Sequence, residues 1–287
     1  MMAAVTTNIV NGIPFPVLVD QAKYDALRDF PLRSDDFFLV THIKSGTTWL
    51  QQISKLVKIK GEKTSTKDED KHIFETCPWF EVIGKEAAMS VPSPRLFKTH
   101  LPYHMIPGGD PASSVAKFIY VARNPKDVAV SLYHHSRLLT HCEFDGDWDC
   151  FFELFMEGKC EMGSWFDHVS DWWKHRDAKN ILFLKYEDMK RDLPAAVMSI
   201  SKFMGYDLDQ ATIENIAEQS SFESMKANPL ANPQHFEPLK NNFKDTGGNF
   251  IRKGIVGDWK NHFNEEQLAR FNAEYAKRMA GTGLEYD

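Results

Sequence analysis

The sequence has few cysteines, no excess of basic residues and no long apolar run. Its four cysteines include no CxxC pair and no zinc-type spacing, so they predict neither a disulfide framework nor a structural zinc site. The formal net charge of −6 argues against a general affinity for nucleic acid. Apolar stretches such as Val115–Ala122 are far too short to span a bilayer. We therefore expect a cytoplasmic protein with reduced thiols and no membrane partner.

The amino-terminal residues do not resemble a targeting segment. The first 22 residues contain no Lys or Arg, and Pro14 and Pro16 interrupt them, which predicts neither a signal peptide nor an anchor. The composition, 43% hydrophobic and 26% charged, is that of an ordinary globular protein. A chain of 287 residues can bury a large core without cross-links. We expect one domain over residues 1–287.

Periodicity divides the chain into alternating strands and helices. Four apolar runs predict buried strands at Phe37–Ile43, Arg95–Thr99, Lys117–Arg123 and Ile181–Tyr186. Helical patterns cover Thr47–Lys58, Lys126–Leu138, Met162–His175, Pro194–Met204, Ala211–Glu218 and Glu265–Met279. The mixed charges from Lys58 to Lys71 predict a solvated loop. This alternation predicts an α/β fold with a central, mostly parallel sheet flanked by helices, in which ligands lie beyond the carboxyl ends of the strands.

The first predicted strand leads into a candidate anion site. The segment Lys44-Ser45-Gly46-Thr47-Thr48-Trp49 opens a helix, where backbone amides can hold an anion and Lys44 adds a positive charge. The segment matches a Walker A loop only in part, because the lysine comes first and Gly-Lys-Ser/Thr is missing. An ordinary capped turn is the alternative.

Three further segments place cations or a base near strand ends or in a glycine-rich loop. Lys98 and His100 end the second strand, and a histidine suits a general base at neutral pH, although a structural role is equally compatible. Arg123 ends the third strand and Ser131 lies on the following helix, which favours a second phosphate site over a surface salt bridge. Arg252 and Lys253 precede Gly254 in a loop able to close over an anion, and a plain glycine-rich loop with solvated charges is the alternative.

The predicted cations limit the charge of the ligand but do not identify the ligand. Lys44, Lys98, Arg123, Arg252 and Lys253 predict a ligand with at least two separated anionic groups. 3′-Phosphoadenosine 5′-phosphosulfate (PAPS) carries roughly four negative charges, since a phosphomonoester contributes about −1.5 to −2. The charge balance therefore fits PAPS, ATP and coenzyme A equally well.

The ordered set of motifs resembles the cytosolic sulfotransferase family from about Gly12 to the carboxyl terminus. Lys44–Trp49 is similar to the family's 5′-phosphosulfate loop, and Arg123–Asp127 with Ser131 to its 3′-phosphate motif. Arg252–Asn261 is similar to its carboxyl-terminal signature, which is very specific. Other matching stretches are Lys98–Pro102, Gly163–Trp165 with His168 and Trp172-Trp173, and Tyr186–Met189.

The resemblance implies a P-loop-like nucleotide-binding core and transfer of a sulfuryl group from PAPS, with PAP as product and no metal. It implies that His100 is the general base, that Lys44 neutralises the leaving oxygen and that Lys98 holds the sulfuryl oxygens. The implied cofactor-binding residues are Lys44, Ser45, Gly46, Thr47 and Thr48 of the loop, Trp49 and Phe222 around the adenine, Tyr186 and Ser220 at its edge, and Arg123, Ser131, Arg252, Lys253 and Gly254 at the 3′-phosphate.

The acceptor is expected to be a small molecule in an aromatic pocket. We expect Phe15, Trp79, Phe80, His135 and Phe144 to line it, which suits a phenol, steroid, alcohol or amine. Two alternatives stay open: a P-loop kinase that needs ATP and Mg²⁺, and a PAPS-binding protein without catalysis. The misplaced lysine argues against the kinase, and the combination of Lys44, Lys98 and His100 argues against the pure binder.

Several positions depart from the family's pattern. Ile43 stands where the family usually has Pro, and Asn264, Glu265 and Ala269 replace residues of its dimer segment. We therefore expect a monomer, or a dimer that does not use that segment. His134, His135 and the nearby His141 include positions where the family often has aromatic residues, which predicts either a more polar acceptor or solvated surface histidines. These histidines predict no metal site, because no carboxylate or cysteine spacing accompanies them.

Overall fold

The computed structural model describes residues 3–62 and 68–286. A hairpin of β1 (Asn8–Val10) and β2 (Ile13–Phe15) precedes a four-stranded parallel sheet in the order β4-β3-β5-β6. The strands of this sheet are β3 (Asp36–Val40), β4 (Arg95–Thr99), β5 (Lys117–Ala122) and β6 (Ile181–Lys185). All four predicted strands are present, and the α/β class is confirmed.

Twelve α-helices cover the sheet and its connections within the described residues. They are α1 (Gln21–Leu27), α2 (Thr47–Glu62), α3 (Ile73–Thr76), α4 (Phe80–Met89), α5 (Pro125–Leu138), α6 (Trp148–Met156), α7 (Trp165–Lys174), α8 (Tyr186–Arg191), α9 (Leu193–Met204), α10 (Gln210–Gln219), α11 (Phe222–Ala227) and α12 (Glu265–Arg278). No helix of these residues is long and apolar enough to cross a membrane.

The predicted strand Phe37–Ile43 ends earlier, at Val40, and two predictions at helix ends are wrong for local reasons. The predicted charged loop begins too early, because α2 continues through Lys58 to Glu62, while residues 63–67 of that loop lie outside the described residues. The predicted helix at Met162 starts at Trp165 instead, because Met162 and Gly163 both have positive φ angles and Ser164 caps the helix by accepting from the Asp167 amide.

The strand residues alternate between the two faces of the sheet and so build two cores. One face contributes Phe38, Val40, Phe118 and Tyr120, which pack with α5 and α7, and the other contributes Phe37, Leu39, Ile119 and Val121, which pack with α2 and α9. At the amino-terminal edge the fully buried Arg95 donates to both Asp36 oxygens, at 2.5 and 2.6 Å. This ion pair joins β3 to β4 opposite the end where the site lies.

The carboxyl ends of the parallel strands bring distant segments together. β3 leads into the loop at Lys44, β4 into His100, β5 into Arg123 and β6 into Tyr186. Asn124 caps α5 through the amide of Lys126, with Pro125 in the first turn, so Arg123 is fixed where the strand ends.

Candidate active site

A cavity of about 450 Å³ opens at the carboxyl ends of the strands. Its size suits a small-molecule site. Most of the residues predicted to bind the nucleotide or to act in catalysis line it: Lys44, Gly46, Thr47, Thr48, Trp49, Lys98, His100, Arg123, Ser131, Tyr186, Ser220, Phe222, Arg252, Lys253 and Gly254. Ser45 belongs to the same loop but is fully buried, and its amide donates to the His42 carbonyl at 3.1 Å.

The loop between β3 and α2 makes a tight turn against Tyr186. Lys44 has a φ of 67° and Gly46 a φ of 106°, so the chain reverses before α2 begins at Thr47. A side chain at Gly46 would place its Cβ 2.9 Å from the Tyr186 ring, which explains the glycine. The amino terminus of α2 therefore points at the cavity, where its amides can bind an anion.

Lys44 and Lys98 lie in the cavity wall without a carboxylate within ion-pair distance among the described residues. The Lys44 Nζ lies 3.4 Å from His135 Nδ1 and 4.2 Å from the centre of the Phe250 ring. Burial, reinforced by repulsion from Lys98, lowers the pKa of Lys44 to about 7. Burial also lowers the pKa of Lys98 to about 8, and its Nζ lies 4.0 Å from the Trp79 ring. Both lysines would regain their charge beside an anion.

His100 is held in one tautomer by the backbone that directly follows β3. Its Nδ1 lies 2.8 Å from the Thr41 carbonyl, which can only accept, so Nδ1 carries the proton and Nε2 has a free lone pair. The His100 amide donates to Glu81 at 2.7 Å, which fixes the backbone. Burial, with repulsion from Lys98, holds the pKa of His100 well below its usual value. The imidazole is therefore neutral and able to accept a proton.

Arg123 connects the loop to the carboxyl-terminal segment. One Nη donates to the Lys44 carbonyl at 3.3 Å and the other to the Ile255 carbonyl at 3.1 Å. The guanidinium lies 4.5 Å from the Tyr186 ring, and its Nε has no partner among the described residues. An anion in the cavity would meet this cation in a fixed orientation.

Two aspartates that sequence reasoning left without a role hold the segment from Phe250 to Trp259. Asp127 accepts from the amides of Gly257 and Trp259 at 2.7 and 3.0 Å. Asp258 pairs with both Arg252 and Lys253 at 2.7 Å. Although burial opposes it, the hydrogen bonds from Lys253 and Arg252 hold the pKa of Asp258 well below its usual range. Asp258 thus neutralises one of these two cations.

The aromatic side of the cavity is formed by Trp49, Tyr186 and Phe222. Trp49 donates from Nε1 to the Ser220 carbonyl at 2.7 Å, and its ring meets Tyr186 edge-on at 5.2 Å. The Ser220 hydroxyl is buried and has no partner among the described residues. These rings and this hydroxyl are suited to a flat, polar-edged ring such as a nucleobase.

Only two of the five residues expected at the acceptor line the cavity. Trp79 and His135 line the cavity, whereas Phe15, Phe80 and Phe144 lie in the core and do not line it. Phe80, for example, packs against Phe38 with ring centres 5.2 Å apart. Sequence alone could not give the direction of these rings, because tertiary packing sets it.

Other cavity residues were not among the predicted site residues. They are Pro16, Leu18, Phe74, Val82, Ile83, Leu139, His141, Glu161, Lys190, Met225, Phe236, Leu239, Asn242, Phe243, Phe250, Ile251 and Ile255, together with Ile43. Apart from Ile255, which lies within the Arg252–Asn261 signature, they belong to none of the matched motifs, so only the fold reveals them. His134 lies apart from the cavity lining and contacts His262, with Nε2 atoms 3.1 Å apart.

Comparison with known proteins identifies the family. The profile of the sulfotransferase domain matches residues 34–283. An amine sulfotransferase from Oryctolagus cuniculus is 39% identical, over 94% of this chain and 89% of its own length. Sulfotransferase 1C2 from Homo sapiens is 38% identical, over 94% and 91%.

Solved structures show the same similarity. Mouse sulfotransferase SULT7A1 complexed with PAP aligns with a TM-score of 0.76 and 32% identity, covering 94% of this chain and 92% of that one. Retinol dehydratase in complex with androsterone and PAP aligns with a TM-score of 0.83 and 28% identity, covering 92% and 88%. These matches confirm the resemblance and decide against an ATP-dependent kinase. The chain belongs to the sulfotransferase family and transfers a sulfuryl group from PAPS to a small-molecule acceptor.

Proposed function

We propose that His100 is the general base of this transfer and that Lys44 and Lys98 stabilise the charge that develops around it. The observation that carries the proposal is the fixed tautomer of His100. Its Nδ1 proton is committed to the Thr41 carbonyl, which leaves the Nε2 lone pair for the acceptor's proton. His100, Lys44 and Lys98 line the same cavity.

The chemistry is an in-line displacement. PAPS supplies the sulfuryl group and leaves as PAP. As the acceptor oxygen or nitrogen forms its bond to sulfur, His100 Nε2 takes its proton. Lys44 stabilises the charge on the phosphate oxygen whose bond to sulfur breaks, and Lys98 stabilises the charge on the sulfuryl oxygens. The Thr41 carbonyl stabilises the imidazolium that forms on His100.

The cations and unpaired polar atoms around the cavity fit an anionic nucleotide. Lys44 and Lys98 are cations that line the cavity, and Lys98 is buried while Lys44 is partly buried. The buried Arg123 Nε and Ser220 hydroxyl have no hydrogen-bond partner within residues 3–62 and 68–286, which supports a polar ligand in this cavity. We assign the 5′-phosphate to the loop from Lys44 to Thr48, including Thr47. We assign the 3′-phosphate to Arg123, Ser131, Arg252, Lys253 and Gly254. Trp49 and Phe222 would contact the two faces of the adenine, and Tyr186 and Ser220 would contact its edge.

The acceptor is a hydroxyl or an amine of a small phenol, steroid, alcohol or amine. An apolar wall beside Trp79 supports this class, since Val82, Ile83 and Phe243 also line the cavity. Two comparisons agree with it, because one relative is named an amine sulfotransferase and one neighbouring structure contains androsterone.

We further propose that residues 1–287 form one cytoplasmic domain that is a monomer or uses a dimer contact other than the family's usual segment. Within the part of that segment noted above, Asn264 caps α12 in a capping box with Gln267. Its side chain is thereby committed to the helix. Size-exclusion chromatography with light scattering measures the assembly.

The variant His100→Ala tests the base. We expect turnover with phenol, steroid and amine acceptors to fall by about 10²–10⁴, while PAP affinity measured by calorimetry stays close to that of the wild type. His104→Ala is the matched control, because the side chain of His104 is 63% exposed and pairs with Asp171 outside the cavity. Retained turnover in His100→Ala would sink the assignment.

A further inference from the structure

A buried carboxylate lies in the cavity wall without a cation. Glu161 is 1% exposed, and among the described residues its only ion-pair contacts are imidazoles, those of His135 and His141. Its Oε2 accepts no hydrogen bond from the described residues. Fully buried carboxylates are almost always paired. Glu161 therefore lacks a lysine or arginine partner among the described residues.

Glu161 lies beside a histidine and a cysteine, so three kinds of metal ligand meet at one place. The His141 Nε2 lies 3.4 Å from Glu161 Oε1, and the Cys142 Sγ lies 3.6 Å from the same oxygen. One ligand atom from each of the three side chains lies within 4.8 Å of the others. In tetrahedral zinc sites the ligand atoms stand about 3.3–3.6 Å apart, given Zn–N and Zn–O bonds of about 2.1 Å and Zn–S bonds of about 2.3 Å. The two measured contacts already match that spacing.

The backbone holds these three groups in place. His141 and Cys142 lie in a 3₁₀ turn directly after α5, and Glu143 closes the turn with a φ of 49°. Glu161 precedes Met162, whose φ is 68° and whose amide donates to the Pro14 carbonyl at 2.7 Å. Sequence spacing could not show this cluster, because 19 residues separate Cys142 from Glu161.

The chemistry of the donors selects the ion. Imidazole nitrogen, thiolate sulfur and one carboxylate oxygen form a set that suits Zn²⁺ and is foreign to Mg²⁺ and Ca²⁺, which take oxygen ligands. An organic ammonium group would use the carboxylate but gains little from a thiol. The Cys142 thiol is buried and donates to Glu161, so a metal would take the place of its proton.

We propose that His141, Cys142 and Glu161 bind Zn²⁺ and leave its fourth coordination position open to the cavity. His141 and Glu161 both line the cavity, and Glu161 lies 4.0 Å from His135, whose other ring nitrogen contacts Lys44. The ion therefore lies one imidazole away from the catalytic lysine. This inference rests on the proposed function. Zinc bound at this site should inhibit transfer by competing with the acceptor and not with PAPS.

The test begins with zinc titrated into chelator-treated wild-type protein saturated with PAP. We expect one equivalent to bind. Cys142→Ala should weaken the affinity at least about 100-fold, since losing even an outer partner of a metal ligand costs 10–100-fold. Cys150→Ala is the matched control, because its thiol contacts the Ala3 carbonyl outside the cluster and should leave binding unchanged.

A spectroscopic measurement and a kinetic measurement complete the test. Co²⁺ in place of zinc should give a thiolate-to-cobalt charge-transfer band in wild type and Cys150→Ala, and none in Cys142→Ala. Zinc should raise KM for the acceptor with little change in KM for PAPS. If Cys142→Ala does not fold, the partly exposed His141→Gln provides the same comparison of zinc affinity.

Each contrary result has a distinct meaning. Zinc binding that is equal in wild type and Cys142→Ala, without the cobalt band, would overturn the proposal and place zinc elsewhere. No zinc binding, together with weaker binding of amine acceptors by Glu161→Gln, would overturn it in favour of an ammonium site. Transfer activity of the metal-free wild type is measured separately, so a failure of the proposed function is recognised by itself.

Discussion

Binding of PAP should draw protons from the buffer onto Lys44 and Lys98 when the pH is near 8. Without a ligand, burial and then repulsion from Lys98 lower the pKa of Lys44 to about 7, and burial lowers the pKa of Lys98 to about 8. The phosphates of PAP bring the missing negative charge, so both pKa values should rise above the working pH. Protonation and binding are then linked.

The size of the effect follows from these two pKa values. At pH 8 a lysine of pKa about 7 is ~10% charged and one of pKa about 8 is ~50% charged, so full charging takes up ~1.4 protons. At pH 6 both are already almost fully charged, and the lysines take up only ~0.1 proton. A lowered lysine pKa means that the charged form is lost as pH rises, so PAP affinity should weaken as pH rises through 7 and 8.

Calorimetry in buffers of different ionisation enthalpy measures this uptake. At pH 8 we expect a slope of ~1.4 protons for wild type and ~0.5 for Lys44→Met, which leaves only Lys98 to titrate. Lys277→Met is a control of the same residue type, because its side chain is 77% exposed on α12. An uptake near zero at pH 8 would refute the reasoning, since it would mean that both lysines are charged before the nucleotide arrives.

Two further substitutions test the site and the fold. Gly254→Ala should weaken PAP binding about tenfold more than Gly257→Ala, as an overpacking cost of about 1–3 kcal/mol implies; calorimetry compares them. Both glycines have positive φ, but only at Gly254 would the new Cβ lie 2.2 Å from the Phe222 ring, and equal affinities would contradict this. Arg95→Met should lower the free energy of unfolding by about 3–5 kcal/mol, because it leaves a buried carboxylate unpaired. Arg270→Met breaks the exposed ion pair with Glu153, and the free energy of unfolding should fall by less than about 1 kcal/mol. Chemical denaturation compares the two variants, and equal losses of free energy would disprove the role of burial.

The sheet could be predicted because its strands are buried on both faces. Phe37–Leu39 and Phe118–Val121 are continuous apolar runs, and a turn signal follows each strand. The hairpin of β1 and β2 could not be predicted, since three-residue strands show no periodicity. α6 escaped notice because its Phe-Phe-Glu-Leu-Phe run is too short to distinguish a helix from a strand.

The meeting of Lys44, His100 and Arg123 at one cavity was predictable for a related reason. His100 and Arg123 directly follow β4 and β5, Lys44 comes four residues after the end of β3, and parallel strands bring their carboxyl ends to one edge. The proposed acceptor side comes instead largely from α4 and α5, and the directions of its side chains depend on tertiary packing. Phe80 therefore points into the core, and Glu161 points into the cavity, although nothing in the local sequence distinguishes them.

The position of the Phe250–Trp259 segment in the chain has a consequence for synthesis on the ribosome. All four strands of the sheet and the Lys44 loop are complete once residue 185 has emerged. The Arg123 partner at Ile255 and the amides that bind Asp127 come about 70 residues later in translation. A nascent chain can thus form its sheet before the PAPS site is complete. PAPS cannot assist the early folding steps and can stabilise only the nearly complete protein.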